Sequence, residues 1–161
     1  MVWPEWPRDG MGASELTPVD VSRQQLGANA EGTAHAVQAV LPHMKGRGWG
    51  RIVLVSSTVT EDGFPGMEAY GSAKAALHGL SRSLSRGFGG AGILVNVVMP
   101  GLIATEHNRR SMPVEVLQQV ASLTPTGRLA TVDEVARIVA FLASPANGSI
   151  TGTTIRVSGG L

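Results

Sequence analysis

Two short runs of apolar, β-branched residues constrain the fold more than any other feature of the sequence. They occupy residues 51–56 and 93–98 and are rich in valine, isoleucine and leucine. Uninterrupted runs of this kind are typical of parallel strands that are covered on both faces. A crossover between two parallel strands needs about a dozen or more residues, usually as a helix. The segment between the two runs is therefore predicted to contain a crossover helix.

The segments around these strands carry the spacing of helices. Residues 18–44 and 67–88 place apolar side chains three, four or seven positions apart, and glycines follow each stretch. Residues 113–123 predict a shorter helix, and Thr131 with Glu134 forms the pattern of a capping box before another. A last strand is predicted at residues 153–158. The order strand, helix, strand, helices, strand indicates an α/β fold with right-handed parallel crossovers.

Length and composition limit the classes of function. The 161 residues suffice for one domain, and 13 Lys and Arg residues against 12 Asp and Glu residues exclude a strongly basic nucleic-acid stripe. The absence of cysteine excludes disulfides and thiolate sites, and the four histidines lack ligand spacing, so no metal is expected. Neither a signal peptide nor a membrane span is evident. We therefore expect a cytoplasmic protein without nucleic-acid or membrane partners.

Chemically useful residues follow the predicted strands. Ser57 follows the first strand, Pro100 and Gly101 follow the second, and two glycines follow the third. Ligands bind beyond the carboxyl ends of parallel strands, so these positions predict one functional edge. Glu61 and Asp62, in the loop after Ser57, are expected to be solvated.

Tyr70 and Lys74 begin the second long helix at the same edge. They are four positions apart and therefore share one helix face. An ammonium beside a phenol stabilises the phenolate, which would allow Tyr70 to exchange a proton while the Ser57 hydroxyl holds a substrate oxygen. A lone Tyr-x-x-x-Lys pair is more often a lysine beside a half-buried ring. The assignment therefore depends on its surroundings.

Three motifs supply those surroundings. They read GRIVLVSS at residues 50–57, YGSAKAAL at residues 70–77 and NVVMPGLIAT at residues 96–105. In their order and spacing they resemble the short-chain dehydrogenase/reductase family, and the resemblance runs from about Leu16 to Leu161. The tail is most similar to the family's 3-oxoacyl-(acyl-carrier-protein) reductase-like members.

The resemblance implies roles for individual residues. Tyr70 would be the acid/base, Lys74 its partner and a ribose ligand, and Ser57 the donor to the substrate oxygen. Asn29 would seat a water that relays protons towards the lysine. The cofactor would be NAD or NADP, held at its nicotinamide end by Tyr70, Lys74, Pro100, Gly101, Ile103 and Thr105, with Ile103 acting through its backbone. The substrate would be a small carbonyl or alcohol compound, for example a 3-oxoacyl thioester. The chain would form a homo-oligomer.

One departure from the family is evident. Family members open with a strand and a glycine-rich turn that binds the cofactor pyrophosphate at a helix N-terminus, and this part is missing. A G-x-G-x-x-G string at residues 87–92 follows a helix and precedes a strand, the reverse of the required order, and is read as a helix exit. The expected fold is a truncated Rossmann-type parallel sheet, with an irregular segment at residues 1–16 and a partial domain at residues 17–161.

Two consequences of this truncation stay open. The strand at residues 51–56 would have an unpaired edge, which residues 1–16 could cover, another chain could pair with, or which would leave the fold poorly stable. The chain is then either an NAD(P)-dependent oxidoreductase that interconverts a carbonyl and a secondary alcohol, or a non-catalytic fragment or interaction module that has lost cofactor binding.

Overall fold

Three parallel strands organise the part of the chain that the computed structural model describes, residues 17–161. The strands are β1 (Gly50–Val55), β2 (Ile93–Pro100) and β3 (Thr154–Val157), in the order β1-β2-β3. The predicted α/β class and strand sequence are confirmed, with each strand within two residues of its expected bounds. The irregular segment expected at residues 1–16 lies outside the described residues, and the division of the chain at this point stays a prediction.

The helix before β1 is longer and less regular than its spacing predicts. It consists of α1 (Val19–Leu26), one π-helical turn (Gly27–Glu31) and α2 (Gly32–Arg47). Gly48 ends it in the left-handed conformation, with φ 62°, which glycine adopts without a Cβ penalty. The helix thus extends past the predicted residue 44 to Arg47 and ends, as predicted, at one of the glycines that follow. The π turn, a feature often found at functional sites, was not expected.

The second long helix, α4 (Glu68–Phe88), confirms the predicted amphipathic stripe. Its residues Ala73, Leu77, Ser81 and Leu84 are buried, and the Ser81 hydroxyl donates to the carbonyl oxygen of Val95, 3.1 Å away. The core between the sheet, α2 and α4 comprises Val37, Ile52, Leu54, Leu77, Leu84, Ile93, Val95 and Val97. Helix α4 is thereby fixed on β2, which sets the height of its N-terminal turns above the sheet edge.

The glycine-rich string after α4 is a helix exit, as predicted. Helix α4 ends at Phe88, a single 3-10 turn covers Gly89–Ala91, and Gly92 has φ 75° before β2 begins. A Cβ on Gly92 would overlap the carbonyl oxygen of Gly48. Glycine is thus needed here because the turns that precede β1 and β2 approach each other closely, and no phosphate contact is required to explain it.

The remaining helices follow the two loops at the carboxyl edge. They are α3 (Val59–Asp62), α5 (Glu106–Ser111), α6 (Val114–Leu123) and α7 (Val132–Ala143). Helices α6 and α7 were predicted, and the capping box of Thr131 and Glu134 is formed, whereas the short helices α3 and α5 were not predicted. No helix within residues 17–161 combines the length and apolar character that a bilayer crossing requires.

Helix α7 packs against β1 and β2 but contributes nothing to the core under α4, which places it on the other face of the sheet. Within the described residues, β1 pairs only with β2. Val55, at the end of β1, is 46% exposed, and Val132 and Phe141 of α7 are exposed as well. The expected open edge of β1 is thus present in the part of the chain that the structure describes.

Candidate active site

Ser57 lies directly after β1, where the strand turns into α3. Its hydroxyl oxygen accepts from the backbone N–H of Val59 at 3.4 Å, and its carbonyl oxygen accepts from the N–H and hydroxyl of Thr60. The N–H of Thr58 donates to the carbonyl oxygen of Pro100 at 3.0 Å, which holds the start of the loop against β2. A hydroxyl that accepts one hydrogen bond still has a proton to donate. Ser57 therefore presents a donor at the carboxyl edge of the sheet.

Tyr70 and Lys74 lie together in the first two turns of α4. The Lys74 Nζ is 5.7 Å from the centroid of the Tyr70 ring and donates to the carbonyl oxygen of Val55, 3.0 Å away. Burial lowers the pKa of the Lys74 ammonium, because the charged form loses hydration. The hydrogen bond to Val55 brings the lysine to the end of β1, two residues before Ser57. The segment of Tyr70 and Lys74 thus reaches the same edge of the sheet as the segment of Ser57.

A hydrogen-bonded pair near this site, the buried Ser56 and the half-buried His78, was missed in the sequence. The Ser56 hydroxyl shares a hydrogen bond of 2.7 Å with His78 Nε2 and lies 3.3 Å from the carbonyl oxygen of Lys74. Burial, the largest cause, lowers the pKa of His78. The only signal was the spacing of Lys74 and His78, which are four residues apart on one face of α4. The pair fastens α4 to the end of β1.

Asn29 lies in the π turn, which packs against α4. Its side-chain amide donates to the carbonyl oxygen of Gln25 at 3.2 Å and to Gln25 Oε1 at 3.0 Å. Its backbone carbonyl oxygen accepts from the Thr33 hydroxyl at 2.7 Å. The structure thus places Asn29 beside the helix of Tyr70 and Lys74, but it directs the amide to its own helix. The relay role stays a prediction.

Pro100 and Gly101 end β2 between the neighbouring strands. The N–H of Gly101 donates to the carbonyl oxygen of Val157 at 3.1 Å. A Cβ on Gly101 would lie 2.9 Å from the Cβ of Ser158, closer than real Cβ contacts. Glycine is therefore needed here for packing alone, whatever else this loop contacts.

Ile103 and Thr105 have structural partners of their own. The carbonyl oxygen of Ile103 accepts from the N–H of Thr105 at 2.7 Å and from the side-chain amide of Asn108 at 2.8 Å. The Thr105 hydroxyl caps α5 by accepting from the N–H of Asn108 at 3.0 Å. Both residues also face a groove of about 480 Å³. The rest of its lining is the apolar side of α7, formed by Val132, Val135, Ala136, Val139 and Ala140.

A second cavity, of about 300 Å³, separates α3 from α4. Its lining comprises Val59, Thr60, Gly63, Phe64, Met67, Glu68, Gly71, Ser72 and Ala75. These residues come from the segment after Ser57 and from the turns around Tyr70. The cavity therefore adjoins both segments that carry the predicted acid/base chemistry.

The residues present fit one end of a nicotinamide dinucleotide. A groove with an apolar wall and the Thr105 hydroxyl suits a planar ring with an amide. Residues 17–161 contain no glycine-rich turn that joins a strand to a helix in that order, which is the element that binds a pyrophosphate. Within residues 17–161, the groove beside Ile103 and Thr105 is thus a candidate for the nicotinamide end, and none of the strand-to-helix turns has the glycine-rich form that binds a pyrophosphate.

Comparison with known proteins identifies the origin of this arrangement. A family model described as enoyl-(acyl carrier protein) reductase matches residues 8–161. The 3-oxoacyl-(acyl-carrier-protein) reductase FabG of Haemophilus influenzae is 41% identical over 133 residues, which are 83% of this chain and 54% of that protein. The chain belongs to the short-chain dehydrogenase/reductase family. The resemblance in the three motifs is thereby confirmed.

Other members of this family show the same partial match. The acetoacetyl-CoA reductase of Rhizobium meliloti is 40% identical over 136 residues, or 84% of this chain and 56% of that protein. Among solved structures, a gluconate 5-dehydrogenase from Burkholderia cenocepacia in complex with NADP and tartrate matches with TM-score 0.84 and 32% identity, covering 90% of this chain and 57% of that one. This short-chain dehydrogenase/reductase spans about half the length of the curated relatives it matches.

Proposed function

We propose that this chain carries the acid/base machinery of an NAD(P)-dependent oxidoreductase that interconverts a carbonyl and a secondary alcohol. The observation that supports this most directly is the hydrogen bond from Lys74, beside the Tyr70 ring, to the carbonyl oxygen of Val55, two residues before Ser57. The relatives are oxidoreductases of 3-oxoacyl and 3-hydroxyacyl groups by name. Their names make a 3-oxoacyl thioester the first substrate class to test.

Each of these residues has a distinct task in the proposal. The Ser57 hydroxyl donates to the substrate oxygen and fixes it near the Tyr70 phenol. The phenol gives its proton to this oxygen during reduction and takes it back during oxidation. The Lys74 ammonium stabilises the phenolate and contacts the ribose of the cofactor. NAD or NADP, when bound, supplies or accepts the hydride.

Further residues complete the proposed site. Pro100, Gly101, Ile103 and Thr105 contact the nicotinamide end, with Ile103 acting through its backbone. Asn29 seats the water that relays protons to Lys74, which requires its amide to turn from Gln25. A cytoplasmic location and a homo-oligomeric state, both expected from the sequence, stay predictions.

The test replaces Tyr70 by Phe in the full chain. Turnover of a 3-oxoacyl thioester is followed through the nicotinamide absorbance at millimolar cofactor. Tyr70→Phe keeps the ring and removes the phenolic hydroxyl with its transferable proton, so kcat should fall by about 100-fold or more with little change in KM. Ser83→Ala, an exposed change on α4 away from the cavity between α3 and α4, is the matched control and should retain the parent rate. Activity of Tyr70→Phe within tenfold of the parent would refute the acid/base assignment.

A second candidate function is a non-catalytic fragment or interaction module. It is favoured by the absence, within residues 17–161, of a glycine-rich turn that leads from a strand into a helix. Calorimetric titration of the 161-residue chain with NADH or NADPH separates the two. We expect a dissociation constant weaker than about 1 mM, since a few contacts at one end barely offset the entropic cost of association. Micromolar binding, or turnover at millimolar cofactor, would exclude the non-catalytic alternative.

A further inference from the structure

Arg156, on β3, joins the last strand to the short helix that follows Ser57. One terminal nitrogen of its guanidinium donates to both carboxylate oxygens of Asp62, at 2.7 and 2.8 Å, and the other donates to Glu61 at 3.1 Å. The side chains of Arg156 and Asp62 are only 29% and 15% exposed. The sequence had predicted that Glu61 and Asp62 are solvated, and this was wrong for Asp62. Because this pair is partly buried, dissolved salt screens its attraction less than that of a surface ion pair.

The guanidinium is held from its other side as well. Its Nε donates to the Ser158 hydroxyl at 3.2 Å and to the carbonyl oxygen of Leu161 at 2.8 Å, and Ser158 donates to the same carbonyl oxygen. A planar fork fixed by several acceptors has little freedom to follow a moving partner. Arg156 is therefore a rigid anchor for α3.

Helix α3 depends on such an anchor because it has only four residues. One turn of helix is not stable on its own, and two adjacent carboxylates without a cation repel each other. The first turn of α3 also fixes Ser57, through the bonds from Val59 and Thr60. A shift of α3 would therefore be transmitted to the Ser57 hydroxyl.

We propose that Arg156 is a positioning residue that clamps α3 and thereby orients Ser57 towards the substrate oxygen. The proposal rests on the function proposed for Ser57, and Arg156 itself touches neither substrate nor cofactor. Neither Arg156 nor Asp62 stood out in the sequence, because they lie 94 residues apart. The clamp adds a fifth segment, the end of β3, to the four that carry the proposed site residues.

The first experiment measures the position of residue 57 without any need for activity. The chain has no cysteine, so Ser57→Cys carries a unique thiol whose alkylation rate reports its surroundings. Arg156→Gln in this background should change the rate by about fivefold or more, because α3 loosens locally. Arg128→Gln, which removes the guanidinium bound to Glu134 at 2.6 Å, is the matched control and should leave the rate unchanged. An equal rate with and without Arg156 would overturn the clamp.

The second experiment tests whether the clamp acts through Ser57. Arg156→Gln alone should lower kcat by about tenfold or more, with a smaller change in KM, because a misplaced donor costs the transition state. In the Ser57→Ala background the same change should have no further effect on kcat. Equal effects in both backgrounds would show a general structural role and refute positioning. Absence of turnover in the parent would refute the proposed function instead, and the thiol measurement would still decide the clamp.

Discussion

Asn147 offers the sharpest test of what stabilises the loop between α7 and β3. Its side chain has no exposed surface, and its amide donates to the carbonyl oxygens of Leu142 and Ile150 at 3.3 and 3.1 Å. Its oxygen accepts from the N–H of Ile150 at 2.9 Å. Asn147→Ala removes all three bonds, although Ile150 keeps a second donor, the amide of Asn96 at 2.7 Å. The N–H of Ile150 is then left without this acceptor.

The expected cost follows from these contacts. Three hydrogen bonds of about 1 kcal/mol each give a loss of about 3 kcal/mol in the free energy of unfolding. At a urea slope of about 2 kcal/mol/M, the midpoint should fall by about 1.5 M, measured by circular dichroism. Gln118→Ala, an exposed amide on α6, is the control and should stay within about 0.5 kcal/mol of the parent. A loss below about 1 kcal/mol for Asn147→Ala would refute this reasoning.

Three further predictions concern packing, pH and association. Gly101→Ala should lower the free energy of unfolding by about 1–3 kcal/mol, because the new Cβ would meet Ser158 at 2.9 Å. Gly79→Ala, which has open space on α4, should raise the free energy of unfolding by about 0.5–1 kcal/mol. The reverse order of stabilities in urea titrations would contradict both predictions. The hydrogen bond from Arg128 is the main cause that lowers the pKa of Glu134 from 4.5 to about 2. The stabilisation that the ionised Glu134 provides should therefore be present above pH 4.5 and lost as the pH falls towards 2. Urea titrations at stepped pH should show this dependence in the parent and a weaker one in Glu134→Gln. Light scattering should give the mass of a dimer or larger, because the equivalent long helices of the family pack between subunits, and a stable monomer would contradict it.

The sequence predicts the elements whose stability is local or whose burial is continuous. The runs at residues 51–56 and 93–98 become β1 and β2 because both faces of these strands are covered. Helix α7 follows from its capping box, which is a short-range signal. The π turn at Gly27–Glu31 was not predictable, since apolar spacing does not reveal one residue of extra width in a helical turn.

The candidate site is less fully encoded in local patterns. Tyr70 and Lys74 could be paired by helix geometry alone, and the structure brings them to the end of β1. Helix α3 has no amphipathic pattern and is held by Arg156 from a distant strand, so no local rule reveals it. The orientation of the Asn29 amide is equally a matter of local competition, because Gln25 lies one turn away and offers two acceptors.

The hydrogen bond of Lys74 to Val55 has a consequence for contacts with foreign chains. The N–H groups of Gly50 and Ser56 point to β2, so the backbone groups of the odd-numbered residues, Val55 included, point outward. An incoming strand from another molecule would need the Val55 carbonyl as its acceptor, and would there meet a charged ammonium already bonded to it. Lysine at a strand edge discourages the templated, edge-to-edge growth that produces fibrils. The side chain proposed to assist catalysis therefore also occupies the acceptor that an incoming strand would need at this end of β1.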